Sequence, residues 1–202
     1  MSKVHRFFTK QNLALGTNTV VDTVTIDHIH VVRIKIHERV ILFNGDGFEY
    51  DGHMTQIGNV PVIEIMEKRR NKTEPAAPIH LYMGILKREH TELAIEKATE
   101  LGMTDFTPLI TERTIKIGLR MDRLEKIARA AAEQSGRGEI PVIHPPLSLK
   151  DAFKSIKKET DILFCDTDEN SKKLKKSSNA KAIFVGPEGG WTDKERELAE
   201  KH

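Results

Sequence analysis

From residue 79 onward, short continuous apolar runs alternate with segments whose apolar residues recur at helical spacing. The apolar runs cover residues 79–86, 106–110, 140–143, 161–165 and 180–185, and the helical segments cover 89–101, 121–134 and 149–156. Strands without polar alternation are typical of burial on both sheet faces, and a strand–helix alternation is typical of a parallel sheet covered by helices. We therefore predict an α/β domain over residues 79–202.

Residues 1–66 follow a different pattern, in which short β-branched runs are separated by glycine-containing turns. The runs cover 19–26, 30–36, 39–44, 48–56 and 60–66. Strands at this spacing predict a small β-barrel or sandwich, with no helix longer than two turns. We place this all-β domain at residues 1–70.

Residues 67–78 combine a cluster of basic residues with prolines and show no apolar periodicity. This composition predicts a solvated linker, and we assign residues 71–78 to it. The basic cluster leaves a second interpretation open, which is contact with a phosphate.

Composition narrows the class of protein. Cys165 is the single cysteine, which excludes a disulfide scaffold and a multi-cysteine zinc site and fits a reducing cytoplasm. The histidines show no metal-ligand spacing, so we expect no metal ion. We find neither an apolar run of the ~18 residues that a membrane span needs nor the apolar core of a signal peptide. We therefore expect a cytoplasmic protein. Because its net charge is only +2, any binding of nucleic acid would depend on local clusters of basic residues.

A glycine-rich loop follows the last buried strand and precedes a helix with a capping box. It consists of Gly186, Pro187, Glu188, Gly189 and Gly190. Ligands of open α/β sheets bind at the carboxyl ends of strands, and glycines let the backbone approach a ligand closely. The alternative is a tight strand–helix turn that needs positive φ angles. The loop has neither the Walker pattern nor the dinucleotide-binding glycine spacing.

Two further groups lie at strand or helix ends. Asp166 and Thr167 open an acidic loop, 166–169, that either accepts ribose hydroxyls or is an ordinary solvated loop. The lysine-rich segment 170–181 is predicted to be solvated, with phosphate contact as the alternative. Cys165 is expected to pack in its strand and not to act as a nucleophile.

Polar residues at several element ends converge on the same edge of the predicted sheet. They are Lys87, Arg88, Glu112, Arg113, Gln134 and Arg137. An arginine fork suits phosphate and carbonyl groups, so these residues are candidates for one shared site. The alternative for each arginine is a salt bridge with a nearby glutamate.

Three separated segments resemble the RsmE family, which are SPOUT-class ribosomal RNA methyltransferases that modify uridine N3. They are EKATELGMTDFTPLITERT at 96–114, EQSGRGEIPVI at 133–143 and GPEGGWTDKE at 186–195. The N-terminal half is similar as well, at residues 5–8, 28–33 and 43–47. The likeness covers nearly the whole chain in the family's order.

The resemblance implies a PUA-like β-barrel followed by a trefoil-knotted α/β domain that binds S-adenosylmethionine, commonly as a homodimer. The cofactor would lie against the loop from Gly186 to Gly190 and near Asp166 and Thr167. The catalytic positions would be Arg113, Gln134 and Arg137, and Arg6 and Arg33 fit the family's basic positions. Together with Lys87 and Arg88 from the set at the sheet edge, they are our candidate RNA contacts. The family continues with a segment resembling L-G-x-R-I-L-R-x-E-T-A that completes the pocket, so we expect the 202 residues to be an incomplete domain.

The implied reaction removes a proton from uracil N3 and places charge on O2 and O4, where guanidinium donors stabilise it. In this hypothesis Arg113 and Arg137 take the electrostatic role, and Glu188 shapes the pocket. The target base must be unpaired, because pairing occupies N3. Two other functions stay open, a non-catalytic RNA-binding or ribosome-assembly protein and an unrelated nucleotide-binding enzyme.

Overall fold

The computed structural model describes residues 4–114, 118–167 and 178–202. Its contacts divide the chain into two compact units. The first unit comprises Met1–Glu74 and Ala132–Ile140, and the second comprises Pro75–Ala131 and Pro141–His202. Among the described residues, none of the helices is long and apolar enough to cross a membrane.

The first unit is built on a five-stranded sheet. Its elements are β1 (His5–Phe8), β2 (Gly16–Thr19), α1 (Thr23–Val32), β3 (Arg39–Phe43), β4 (Phe48–Gln56) and β5 (Val62–Arg70). The strand order is β1-β3-β4-β5-β2, with β1 and β3 parallel and the other pairs antiparallel. Alternate residues of β3, β4 and β5 form the core with Phe7 of β1 and Ile29 of α1, as alternation in half-buried strands requires.

Helix α1 corrects the expectation of a unit without helices longer than two turns. The strands predicted at 19–26 and 30–36 are wrong, because residues 23–32 form one helix. The Asp22 carboxylate caps it by accepting hydrogen bonds from the backbone of Val24 and Thr25. Thr25 and Ile29 are four residues apart and both buried, so packing of one helical stripe outweighs β-branched propensity.

Strand β5 extends beyond the run predicted at 60–66 and ends at Arg70, directly before the linker assigned to 71–78. Residues 67–70 were expected to be solvated coil, but they pair with residues 48–51 of β4. The Lys68 ammonium lies 4.1 Å from the ring centroid of Phe48 and 5.0 Å from that of Tyr50. The charged side chains of residues 67–70 therefore indicated a coil in the sequence, although the backbone of these residues is paired in the sheet.

The second unit is an α/β layer built on a six-stranded sheet. Its elements are β6 (Ile79–Gly84), α2 (Arg88–Glu100), β7 (Asp105–Ile110), α3 (Met121–Ser135), β8 (Val142–Ile143), β9 (Leu147–Ser148), α4 (Leu149–Ser155), β10 (Asp161–Cys165), β11 (Lys181–Val185) and α5 (Asp193–Ala199). The order is β10-β11-β6-β7-β8, with β9 also paired to β7, and every pair is parallel. The predicted parallel α/β fold is confirmed. The last residues of α3, from Ala132 on, group with the first unit.

Parallel pairing puts the carboxyl ends of β6, β7, β10 and β11 at one edge of this sheet and their amino ends at the other. The loops that follow Gly84, Ile110, Cys165 and Val185 therefore emerge at the same edge. Aromatic rings fill the sheet face beneath α4 and α5, where Phe184 stacks with Tyr82 and with Phe153 at centroid distances of 4.7 and 4.6 Å. This apolar layer packs against the strands from which these loops emerge.

Candidate functional site

The glycine-rich loop that follows β11 is a tight turn with unused backbone donors. The N–H of Gly190 donates to the carbonyl of Pro187 at 2.8 Å, and Gly190 has φ +69°. Within the described residues, the N–H groups of Glu188 and Gly189 donate to no acceptor. The turn and the ligand-binding interpretations are therefore compatible, because the turn itself presents two donors at the sheet edge.

The end of β6 approaches this loop at van der Waals distance. A Cβ on Gly84 would lie 2.6 Å from the backbone nitrogen of Pro187, closer than real side chains allow. Only glycine lets the two backbones meet here. The loop is thereby fixed against the central strand of the sheet.

Trp191, directly after the loop, anchors it from below. Its side chain is buried, its indole N–H donates to the carbonyl of Cys165 at 2.9 Å, and its ring stacks on Phe164 at 4.5 Å. A Cβ on Gly186 would come within 3.1 Å of the indole. Sequence reasoning missed this residue, although a lone tryptophan beside a glycine loop is a usable signal. Cys165 is exposed, so the expectation that it packs is wrong.

Arg113 contacts the loop from the segment that follows β7. Its Nη1 donates to the carbonyls of Gly189 and Trp191, and a Cβ on Gly189 would lie 3.2 Å from its Cδ. The guanidinium is exposed, and its Nε and Nη2 hydrogens bond to none of the described residues. The structure thus brings Arg113 and the loop together, with N–H donors left over at the surface.

The segment that carries Arg113 is tied to the start of α5. One carboxylate oxygen of the buried Glu195 accepts from the N–H of Glu112 at 3.0 Å. Its other oxygen accepts from the N–H of Thr192 at 2.8 Å, and Thr192 completes the predicted capping box. Glu195 therefore orients the loop after β7 relative to the glycine loop.

Glu188 lies at the outer side of the loop beside the start of α2. Its Oε1 is 3.1 Å from Nδ1 of His90 and accepts from the N–H of Lys87 at 3.3 Å. The hydrogen bond with His90 lowers the pKa of Glu188 below its ordinary value, so the carboxylate is charged at neutral pH. Sequence reasoning missed His90. Lys87 is exposed, and its positive charge adds to the effect of His90 in lowering the pKa of Glu188, whereas Arg88 pairs with Glu92 at 2.9 Å.

The carboxylate of Asp166 already accepts a hydrogen bond from another residue of the chain, Arg196. Its Oδ2 accepts from Nε of Arg196 at 2.6 Å, which lowers its pKa, and its Oδ1 accepts from the N–H of Thr167 at 2.8 Å. Asp166 and Arg196 line a cavity of about 260 Å³ with Phe164 and Ala199. A ribose would therefore compete with Arg196 for this carboxylate. Residues 168–177, which include the rest of the acidic loop and most of the lysine-rich segment, lie outside the described part of the chain.

Arg137 and Gln134 group with the first unit, whereas Arg113 and the glycine loop group with the second. The Arg137 side chain is 3% exposed, and its guanidinium pairs with Glu74. Glu74 also accepts from the N–H groups of Gly138 and Glu139 at 2.7 and 3.1 Å. A guanidinium buried in this way does not fit the electrostatic role predicted for Arg137. Gln134 is exposed.

The two predicted RNA-contacting arginines of the first unit differ in their surroundings. Arg6 is largely buried, bonds to Glu49 and donates to the carbonyl of Arg137 at 3.0 Å. Burial alone would raise the pKa of Glu49, but hydrogen bonds from Arg69 and Arg6 bring it below its ordinary value. Arg33 is exposed at the end of α1, with φ +53°, and its guanidinium forms no hydrogen bond or salt bridge with the described residues. Arg33 therefore suits a phosphate contact and Arg6 does not.

Comparison with known proteins gives consistent matches. The family model described as an RNA methyltransferase domain matches residues 72–202, and one described as an RNA methyltransferase PUA domain matches residues 25–60. The ribosomal RNA small subunit methyltransferase E of Rickettsia conorii is 30% identical over 197 residues, covering 93% of this chain and 80% of that protein.

The chain is also similar to solved structures of methyltransferases. The crystal structure of a ribosomal RNA small subunit methyltransferase E from Neisseria gonorrhoeae, bound to S-adenosyl methionine, has a TM-score of 0.91 and 29% identity, covering 98% of this chain and 86% of that one. A putative methyltransferase from Legionella pneumophila in complex with the bound cofactor SAM has a TM-score of 0.86 and 26% identity, covering 99% of this chain and 86% of that one.

Proposed function

The chain belongs to the RsmE family of RNA methyltransferases, and from that premise we propose that it transfers a methyl group from S-adenosylmethionine to N3 of a uridine in small-subunit (16S) ribosomal RNA. The observation that carries the proposal is the glycine loop, whose unused N–H groups lie beside the exposed guanidinium of Arg113. Family membership excludes the alternative of an unrelated nucleotide-binding enzyme.

The residues at the sheet edge fit this cofactor. The backbone donors of Glu188 and Gly189 match the acceptors of a nucleoside, and the loop that presents them is held by Trp191 and Gly84. When bound, S-adenosylmethionine supplies an activated methyl group on a sulfonium, so the chain needs no nucleophile of its own. In our proposal the exposed Thr167 also contacts the cofactor. Asp166 can contact the cofactor when its carboxylate is released from the hydrogen bond with Arg196.

Arg113 then has two tasks. Through Nη1 it holds the carbonyls of the glycine loop, and through its remaining N–H groups it stabilises the negative charge that develops on the uracil oxygens. A preorganised donor of this kind is worth more in the transition state than in the ground state. We assign Arg137 a positioning role, because its guanidinium holds the 136–139 segment through Glu74.

The nucleic acid is proposed to contact exposed basic residues. Arg33 and Lys87 are exposed and form no salt bridge within 4 Å among the described residues, and Arg88 is 61% exposed beside Glu92. Such residues neutralise phosphates without reading sequence. We also infer, from the family resemblance, a trefoil-knotted second domain and a cytoplasmic homodimer.

Methylation of small subunits from cells that lack this gene tests the function. Purified protein and S-adenosylmethionine with a labelled methyl group are added, and the rRNA is digested to nucleosides for mass spectrometry. We expect the label in N3-methyluridine at one position. Label on another atom would contradict the N3 assignment. RNA binding without cofactor binding or transfer would favour the non-catalytic assembly protein.

A further inference from the structure

The amino edge of the second unit's sheet carries a second cluster of functional groups, away from the glycine loop. His80 of β6 is directly opposite Asp105 of β7, and Asp105 is opposite Val142 of β8. Side chains alternate along a strand, so His144, two residues after Val142, shares the face of Asp105. The strand register therefore brings together three residues that are far apart in sequence.

The three groups are within coordination range of one another. Nε2 of His144 lies 2.8 Å from Oδ1 of Asp105, and the His80 and His144 rings stack at a centroid distance of 5.2 Å. One ligand atom from each residue can be chosen so that all three atoms lie within 4.8 Å. A small side-chain rotation therefore suffices to place all three around one ion.

Neighbouring side chains hold the His80 ring in place. Nε2 of His80 is 2.8 Å from the Thr107 hydroxyl, and its ring stacks on Tyr82 at 3.9 Å. Contacts of this kind fix ring orientation in metal sites. The cluster opens into a cavity of about 570 Å³ between this sheet face and the segment around Ser155 and Thr160. A bound ion would thus have room for water or another ligand.

We propose that His80, Asp105 and His144 bind a divalent transition-metal ion of the zinc class. Two imidazoles and one carboxylate suit zinc far better than magnesium, which prefers oxygen ligands alone. Three protein ligands leave a fourth position open, as in zinc sites that keep a water. Lys181 also lines the cavity, but its ammonium lies 2.7 Å from Oδ2 of Asp161, which offsets its repulsion of a cation.

The proposal is independent of the methyltransferase function. About 13 Å of strand separates His80 from Gly84, where the glycine loop is in contact. The absence of metal-ligand spacing in the sequence predicted that no ion binds. Residues 80, 105 and 144 are far apart in the sequence and come together only through the parallel register.

Titration of the full chain, without a histidine tag, tests the proposal by calorimetry with Zn²⁺ and by visible absorption with Co²⁺. We expect one equivalent of each ion and a Co²⁺ spectrum typical of tetrahedral or five-coordinate nitrogen and oxygen ligands. His144→Gln, Asp105→Asn and His80→Gln should each weaken Zn²⁺ binding by about tenfold or more. His53→Gln, at an exposed histidine of β4, is the matched control and should bind as the unsubstituted chain does.

Melting temperatures without metal show whether each variant folds, and Asp105→Asn keeps an acceptor for His144. Absence of stoichiometric Zn²⁺ binding by the unsubstituted chain would overturn the proposal. It would also be overturned if folded His144→Gln and Asp105→Asn variants bound Zn²⁺ as tightly as the control.

Discussion

At the scale of a single residue, the site depends on positions where a side chain is missing. Gly84 illustrates this, because a Cβ there would meet the Pro187 backbone at 2.6 Å. Gly84→Ala should force the strand end and the loop apart and lower the free energy of unfolding by about 1–3 kcal/mol. Urea denaturation measures the loss, and calorimetry should show weaker binding of S-adenosylmethionine. Gly118→Ala, where nothing lies within 4 Å, is the control.

Arg113 holds the glycine loop through its hydrogen bonds and, in our proposal, also stabilises the charge on the uracil oxygens. Arg113→Ala should lower kcat for rRNA methylation by about 100-fold, the typical loss for a preorganised oxyanion donor. Arg113→Lys, which keeps the charge and loses the fork, should recover part of the rate. Affinity for S-adenosylmethionine, measured separately, tells loop support from charge stabilisation.

Arg120→Ala serves as the comparison, because Arg120 pairs only with the exposed Asp122 among the described residues. An Arg113→Ala enzyme with unchanged kcat would rule out the charge role, whatever its cofactor affinity.

Asp51 links residue-scale electrostatics to the pH dependence of stability. The hydrogen bond from Arg39 lowers the pKa of the Asp51 carboxyl, against the effect of burial. Because the folded-state pKa lies below the ordinary value of 3.8, the stabilisation is full above that pH and is lost as pH falls through the folded-state pKa. Arg39→Met should therefore move acid unfolding, followed by circular dichroism, to higher pH. Arg70→Met, at an exposed arginine of the same sheet, should leave the midpoint in place.

At the scale of elements, the second unit was predictable because burial on both faces leaves an unambiguous pattern. The strand at 161–165 is confirmed residue for residue, and the helices at 121–134 and 149–156 agree to within a residue. Helix α1 was not predictable by the same logic. Seven of the ten residues in its sequence TVTIDHIHVV are β-branched, and only its N-cap and its buried face make it a helix.

The cap of α1 is therefore expected to carry measurable stability. Asp22→Ala removes the acceptor for the N–H groups of Val24 and Thr25 and should cost about 0.5–2 kcal/mol of unfolding free energy. Asp27→Ala, at an exposed position of the same helix, is the matched control. Equal denaturation midpoints for the two variants would show that the cap adds no stability and that packing of the buried face holds the helix.

At the scale of the whole molecule, the topology of the sheet predicts which distant residues lie close together, which local spacing cannot do. The rule that parallel strands share a carboxyl edge indicated that Arg113 and the loop at 186–190 are near each other, although 76 residues separate Arg113 from Gly189. The same rule applied to amino ends would have found His80 beside Asp105. It could not have shown that Arg137 is buried against Glu74, because an arginine's partner depends on side-chain packing.

Whole-molecule charge leads to a last prediction about nucleic-acid binding. With a net charge of +2, affinity for rRNA must come from individual exposed cations and not from a general field. Arg33→Ala and Lys87→Ala should each weaken binding of small-subunit rRNA and reduce the slope of log K against log salt by about one. Arg6→Ala should leave that slope unchanged and instead lower unfolding free energy, because Arg6 pairs with the buried Glu49. Filter binding across a salt series measures the slope for all three variants. If only Arg6→Ala reduced the slope, then Arg6, and not Arg33 or Lys87, would be the residue that contacts RNA phosphate.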